Sequence, residues 1–221
     1  IKTLKYLKGK PLTIRTLDVG NDKKVPSIEK FLTKSPNPAL GLRAIRLTLA
    51  FPKIFKKQIS AILRASKYGN IRIMLPMVSN VYELIETKKI INEVKVELLK
   101  KNKKIKINLP KVGVLIETPA AALISEALAK HCDFFAIGTN DLTMYTLATD
   151  RGDEEVAKIY DPGHLSVLKL INMSAKSAKK NSIPISVCGE MAGDTLFTSV
   201  LIGMGIRTLS MSTSRILKVK Q

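Results

Sequence analysis

Six short apolar runs, each separated from the next by a longer segment of mixed polarity, constrain this 221-residue chain more than any other feature. They are LTIRTLD at 12–18, IRIMLPM at 71–77, VGVLIE at 112–117, DFFAIG at 133–138, IPISVC at 183–188 and IRTLSM at 206–211. Strand-like runs that alternate with helical stretches require crossover connections, and therefore a parallel sheet. The runs are apolar nearly throughout, which calls for burial on both faces. An open doubly wound sheet and the inner ring of a (β/α)8 barrel both meet that demand.

The intervening periodicity predicts one helix through Ile54, Ile59, Ile62 and Leu63. A second runs through Val81, Leu84, Ile85, Ile91, Val94 and Leu98, and a third through Leu165, Leu168, Ile171, Met173 and Ala178. Asp194 is placed to cap a fourth over Leu196 to Ile202. Polar clusters follow several strands at once: Asp18 with Gly20, Glu117 with Thr118, Thr139 with Asn140 and Asp141, Cys188 with Gly189 and Glu190, Ser210 with Ser212. Polar groups converging from the carboxyl ends of many strands favour the barrel. No linker divides the chain, so a single domain over 1–221 is expected.

A hydrophobic fraction of 45% with 25% charged residues supplies a core and excludes disorder. No apolar run reaches membrane-spanning length, and the opening IKTLKYLKGK is too lysine-interrupted for a signal-peptide core, so a cytoplasmic protein is expected. Two cysteines at no metal spacing fit a reducing compartment. The net charge of +19 raises a nucleic-acid partner. Most of that charge is lysine spread along the chain, there is no tryptophan, and no groove-reading motif is visible, so nucleic acid is disfavoured.

Individual residues suggest chemistry. Arg15, inside an apolar strand, must meet an anion or a carboxylate, because its guanidinium stays charged; an ion pair with Asp18 is the competing reading. Arg43, beyond the turn shaped by Pro38 and Gly41, projects toward the same face. Arg72 stands at the remote end of its strand and reads as structural. Glu117 and Asp141 emerge at strand ends as two hard oxygen donors, suited to magnesium, which takes one or two protein carboxylates and fills the rest of its shell with water and phosphate oxygens. A general acid/base pair, or salt bridges to Arg15 or Arg151, remain open alternatives. Asn140 offers an amide to an anionic oxygen, and Arg151 a bidentate fork for phosphate. Cys188 ends its strand where a thiol serves as proton donor or nucleophile, with inert packing as the alternative. Cys132, His131 and His164 have no partners at catalytic or metal spacing and read as packing or surface residues.

The strings RTLDVGNDK, NPALGLRAIR, ETPAA, FFAIGTNDLT, YTLATDRGD and CGEMAGD, in this order and at these intervals, resemble the carboxyl-terminal domain of enzyme I of the bacterial phosphoenolpyruvate:sugar phosphotransferase system. The resemblance extends from Leu12 to Met211. Pyruvate phosphate dikinase and phosphoenolpyruvate synthase share ETPAA, GTNDLT and CGE, and a relative of these is the alternative within the same chemistry. The resemblance implies a (β/α)8 barrel that binds phosphoenolpyruvate and magnesium, forms a homodimer in the intact enzyme, and starts sugar uptake by phosphorylating a histidine on a separate domain that then serves a phosphocarrier protein. It implies that Arg15, Arg43 and Arg151 hold the phosphate, that Asn140 and Asp141 lie against the substrate, and that Glu117 and Asp141 hold magnesium. Cys188 would protonate the departing enolate to pyruvate.

Departures from the family pattern carry their own expectations. Neither histidine sits in the context of the phosphorylated one, so the acceptor is expected on a missing amino-terminal portion. LTIRTLD resembles the third barrel strand, which makes the chain strands three to eight of the ring and the isolated fragment inactive alone. Met144 stands where the family has glutamine, and the tail after SMS is short. The rival outside this chemistry is a non-catalytic basic binding fragment, supported by charge alone.

Overall fold

The computed structural model describes residues 1–19, 35–150 and 152–221. These cluster into two compact units, Ile1–Met77 with Tyr82–Gly113 and Val78–Val81 with Val114–Gln221.

The first unit contains α1 (Lys2–Tyr6), β1 (Leu12–Arg15), α2 (Ala44–Ala50), α3 (Pro52–Ala65), β2 (Ile71–Leu75) and nearly all of α4 (Val81–Lys101). Strands β1 and β2 pair in parallel, with Leu12 opposite Ile71 and Arg15 opposite Met74. Helix α3 starts with Pro52 at its first turn, where a missing N–H costs nothing. It buries Ile59, Ile62 and Leu63, as the apolar spacing predicts, with Phe55 buried in place of the half-buried Ile54. On α4 the buried set is Leu84, Thr87, Ile90, Ile91 and Val94, while Ile85 faces outward. Lys56 of α3 bonds Glu93 and Glu97 of α4, and these carboxylates raise its pKa.

The second unit takes over within β3 (Lys111–Ile116) and continues through α5 (Pro119–Leu123), α6 (Ser125–Ala129), β4 (Phe135–Gly138), α7 (Thr139–Leu147), α8 (Leu165–Lys180), β5 (Ile185–Cys188), α9 (Thr195–Gly203) and α10 (Thr213–Lys220). Strand β4 lies between β3 and β5, parallel to both. All of Val112–Ile116 is buried, in keeping with a strand covered on both faces. The α/β class with parallel strands is therefore as expected. Among the described residues no helix is long and apolar enough to cross a membrane.

Two expectations need correction. The run at 206–211 forms no strand; it makes a single parallel bridge, Val187 to Leu209, closed by Val187 N–H to Thr208 O at 3.0 Å and Ser210 N–H to Val187 O at 2.8 Å. Only Ile206 of that run is buried, so little apolar surface holds it along β5. On α8 the inward face is Val167, Leu170, Ile171, Ser174, Ala175, Ser177 and Ala178, whereas Leu165 is 64% exposed. Small residues allow close approach to α6, where Ser125 and Ser177 share a buried hydrogen bond of 2.9 Å. Counting large apolar side chains overlooks such a face.

Asp194 caps α9 as expected, its Oδ1 accepting from Leu196 N–H at 3.0 Å. Asp194→Ala should lower stability by about 1 kcal/mol, read as a lower thermal midpoint.

Candidate functional site

In the second unit the parallel register sets the expected groups side by side. Ile116 of β3 lies opposite Ile137 of β4, and Ile137 opposite Val187 of β5. One step further toward the carboxyl ends come Glu117, Gly138 and Cys188, with Gly138 directly opposite Cys188. Asn140 and Asp141 follow in the first turn of α7. Glu117 is 2% exposed, and a Cβ on Gly138 would stand 2.9 Å from its Oε2 and 3.0 Å from its Cβ. The missing side chain at 138 is what leaves room for a carboxylate beside β4. Gly138→Ala should push Glu117 aside and cost about 1–3 kcal/mol of stability, measurable by urea unfolding.

The loop after β5 is held from α7. Thr139 Oγ1 donates to Cys188 O at 3.0 Å, and Asn140 Oδ1 accepts from Glu190 N–H at 3.0 Å. Between these bonds Gly189 adopts φ +93°, ψ −173°, a region open essentially to glycine alone. The Cys188 thiol donates to Ile137 O at 3.2 Å. Tyr160, not singled out from the sequence, donates its hydroxyl to Asn140 O at 3.1 Å.

Asn140, Cys188, Gly189 and Glu190 line an open cleft of about 700 Å³ with Ser210, Met211, Ser212 and Arg215 among its other walls. Arg215 was also missed; its position after the SMS string is the signal that points to it. Among the described residues no group of three or more His, Cys, Asp or Glu side chains is gathered as a metal cage. A site built on one or two carboxylates does not need one.

In the first unit Asp18 receives Arg43, whose Nε and Nη2 reach Asp18 Oδ1 at 3.2 and 2.8 Å. Both side chains are nearly buried, at 8% and 5% exposure. Arg15 Nη1 stands 3.8 Å from Asp18 Oδ2 and is half exposed. The ion-pair reading of Arg15 thus describes its contact here, although the closer pairing is that of Arg43. Ala44, just after Arg43, has φ +50°, so the chain bends sharply where α2 begins. Arg151, the third arginine expected to contact phosphate, lies outside the described residues.

The remaining candidates have structural surroundings. Cys132 is buried, and His164 caps α8 by accepting from Ser166 N–H at 3.3 Å.

A family model described as "PEP-utilising enzyme, PEP-binding domain" matches residues 1–221. The chain belongs to this family. Among curated relatives, a protein of Priestia megaterium named phosphoenolpyruvate-protein phosphotransferase is 44% identical over 217 residues, covering 98% of this chain and 37% of its own length. A protein of the same name from Cupriavidus necator is 43% identical over 213 residues, covering 96% of this chain and 36% of its own. The family member described here thus spans little more than a third of those relatives. Among solved structures, a citrate lyase from Burkholderia xenovorans superimposes with TM-score 0.56 at 19% identity, covering 74% of this chain and 52% of that one. RipC from Yersinia pestis gives 0.52 at 11% identity, over 74% and 68%. These two likenesses are of fold.

Proposed function

We propose that this chain is the phosphoenolpyruvate-binding part of a phosphoenolpyruvate-protein phosphotransferase, corresponding to strands three to seven of a (β/α)8 barrel with the bridged segment 206–211 in the place of the eighth. On this reading the phosphoryl group passes to a histidine on a portion outside this chain, as the first step of sugar uptake by a cytoplasmic, dimeric enzyme. The observation that carries the reading is the register that brings Glu117, Gly138 and Cys188 to one level, with Asn140 and Asp141 one helical turn away. The names of relatives at 43–44% identity favour a phosphotransferase over a dikinase or synthase.

Glu117 and Asp141 are the residues that would hold magnesium. A buried carboxylate kept against the bare α-carbon of Gly138 suits a hard cation that keeps most of its own oxygen ligands. When bound, the ion neutralises charge on the phosphate and on the enolate oxygen. Arg15, Arg43 and Arg151 are the residues that the family resemblance would assign to the phosphate oxygens. Asn140 has its Oδ1 occupied by Glu190 N–H, which leaves its amide nitrogen as the group for substrate.

Cys188 acts once the P–O bond to the enolate has broken. The S–H bond breaks, its proton joins the methylene carbon, and the enolate becomes pyruvate; the thiolate is reprotonated from solvent. Before that step the thiol donates a hydrogen bond to Ile137 O, and rotation about the Cα–Cβ bond redirects its S–H into the cleft.

Calorimetry tests the reading. The chain is titrated with phosphoenolpyruvate, with and without magnesium, alone and together with the part of the Priestia megaterium relative that it does not span. Magnesium-dependent binding is expected, weakened at least about tenfold in Glu117→Gln, because removal of one charged partner from a buried polar site costs more than about 1.4 kcal/mol. Absence of binding in the supplemented mixture contradicts the proposal.

A further inference from the structure

We propose that Thr139 is a positioning residue for Cys188: its hydroxyl fixes the end of β5 and so sets where the thiol sits in the cleft. The inference rests on the reading of Cys188 as proton donor and adds a residue to which no role in that step has been assigned.

Thr139 is the first residue of α7 and is 1% exposed. A hydroxyl at a helix start ordinarily serves its own helix, yet α7 has Gly138 as its N-cap and no side-chain capping bond. Thr139 instead reaches to the neighbouring strand and donates to Cys188 O at 3.0 Å. Asn140 grips the other side of the same loop through Glu190 N–H. Gly189, between the two grips, brings its α-carbon so close that a Cβ would collide with Thr139 Oγ1 and Asn140 Oδ1. Three consecutive residues, Cys188, Gly189 and Glu190, are thus held against two consecutive residues of α7.

The arrangement has a chemical consequence. A proton donor works only if it is held within a fraction of an ångström of its productive position, at contact distance from its target. Strand β5 ends at Cys188, and the backbone beyond it has left the ladder. The Thr139 hydroxyl supplies a hydrogen bond at that point and ties the thiol to the helix that carries Asn140 and Asp141. Positioning of substrate and positioning of the acid are then set by one element.

The test reads the thiol directly in the 221-residue chain. Alkylation of Cys188 by iodoacetamide is followed across pH, with Cys132 resolved separately by peptide mass, in the unchanged chain and in Thr139→Val and Thr139→Ser. Valine keeps the shape and removes the donor; serine keeps the donor. Thr139→Val should alkylate roughly fivefold faster with a displaced pH profile, the change expected when one part-buried hydrogen bond is lost, while Thr139→Ser stays near the unchanged rate. Equal rates and profiles for valine and the unchanged chain, or a serine variant that behaves as valine does, overturn the inference. Should far-UV circular dichroism find the valine variant unfolded, Thr139→Ala against Thr139→Ser makes the same comparison. Protection of Cys188 by phosphoenolpyruvate with magnesium, in the unchanged chain supplemented with the part of the Priestia megaterium relative that it does not span, is a separate arm. Its absence counts against Cys188 as proton donor, whereas the rate comparison is made without substrate and still decides the role of Thr139.

Discussion

Asp18→Ala is expected to lower the free energy of unfolding by about 3 kcal/mol, the low end of what breaking a buried ion pair costs. The guanidinium of Arg43 is nearly buried and directs two N–H groups at Asp18 Oδ1. Without that carboxylate a charge remains in a poorly hydrated place. The contact of half-exposed Arg15 at 3.8 Å adds little to the sum, since water screens it. Asp18→Asn keeps an acceptor oxygen and should lose less. Urea unfolding measures both; a loss below about 1 kcal/mol for alanine would mean that the pair is surface-like, against its burial. The same substitution should weaken any binding that depends on Arg43, because the carboxylate also orients the fork.

Gly189→Ala should be at least as damaging, by two routes at once. Its φ of +93° with ψ of −173° lies where residues other than glycine store roughly 1–3 kcal/mol of strain. A Cβ there would also stand 2.9 Å from Asn140 Oδ1 and closer still to Thr139 Oγ1. Relief requires the loop to move away from α7, which breaks the bonds Thr139 makes to Cys188 and Asn140 makes to Glu190. We expect a loss of about 3 kcal/mol or more in urea unfolding together with accelerated alkylation of Cys188. A variant of native stability and native thiol reactivity would mean that the close packing of this loop is not maintained in solution.

Much of the frame was legible because burial on two faces leaves a strong mark. Val112–Ile116 is buried throughout and reads as a strand at sight. The stripe Ile59, Ile62, Leu63 on α3 is equally plain. The run at 206–211 has the same look in one dimension, but only one of its six residues is buried, and local composition does not reveal which neighbours will cover it. On α8 the spacing marked Ile171 and Ala178, but the rest of the inward face escaped for the opposite reason, since Ser174, Ala175 and Ser177 are buried there through close helix contact, not through hydrophobic bulk.

For the site, the polar residues at strand ends marked Glu117, Asn140, Asp141 and Cys188, because charged or reactive groups directly after buried strands stand out. Thr139 belonged to the same cluster yet carried no distinguishing sign, for a threonine at a helix start ordinarily caps its own helix. The partnership of Asp18 with Arg43 spans 25 residues and is invisible to any local pattern. Arg15 with Asp18, three apart, was within its reach.

The most direct measurement is a crystal structure of the chain with phosphoenolpyruvate and manganese in place of magnesium. The account predicts an anomalous peak bonded to Glu117 and Asp141, and the substrate's methylene carbon within roughly 3.5 Å of the Cys188 sulfur once the thiol has rotated, the separation of a near-attack arrangement. A manganese site away from both carboxylates, or a substrate bound with its methylene turned from Cys188, would contradict it.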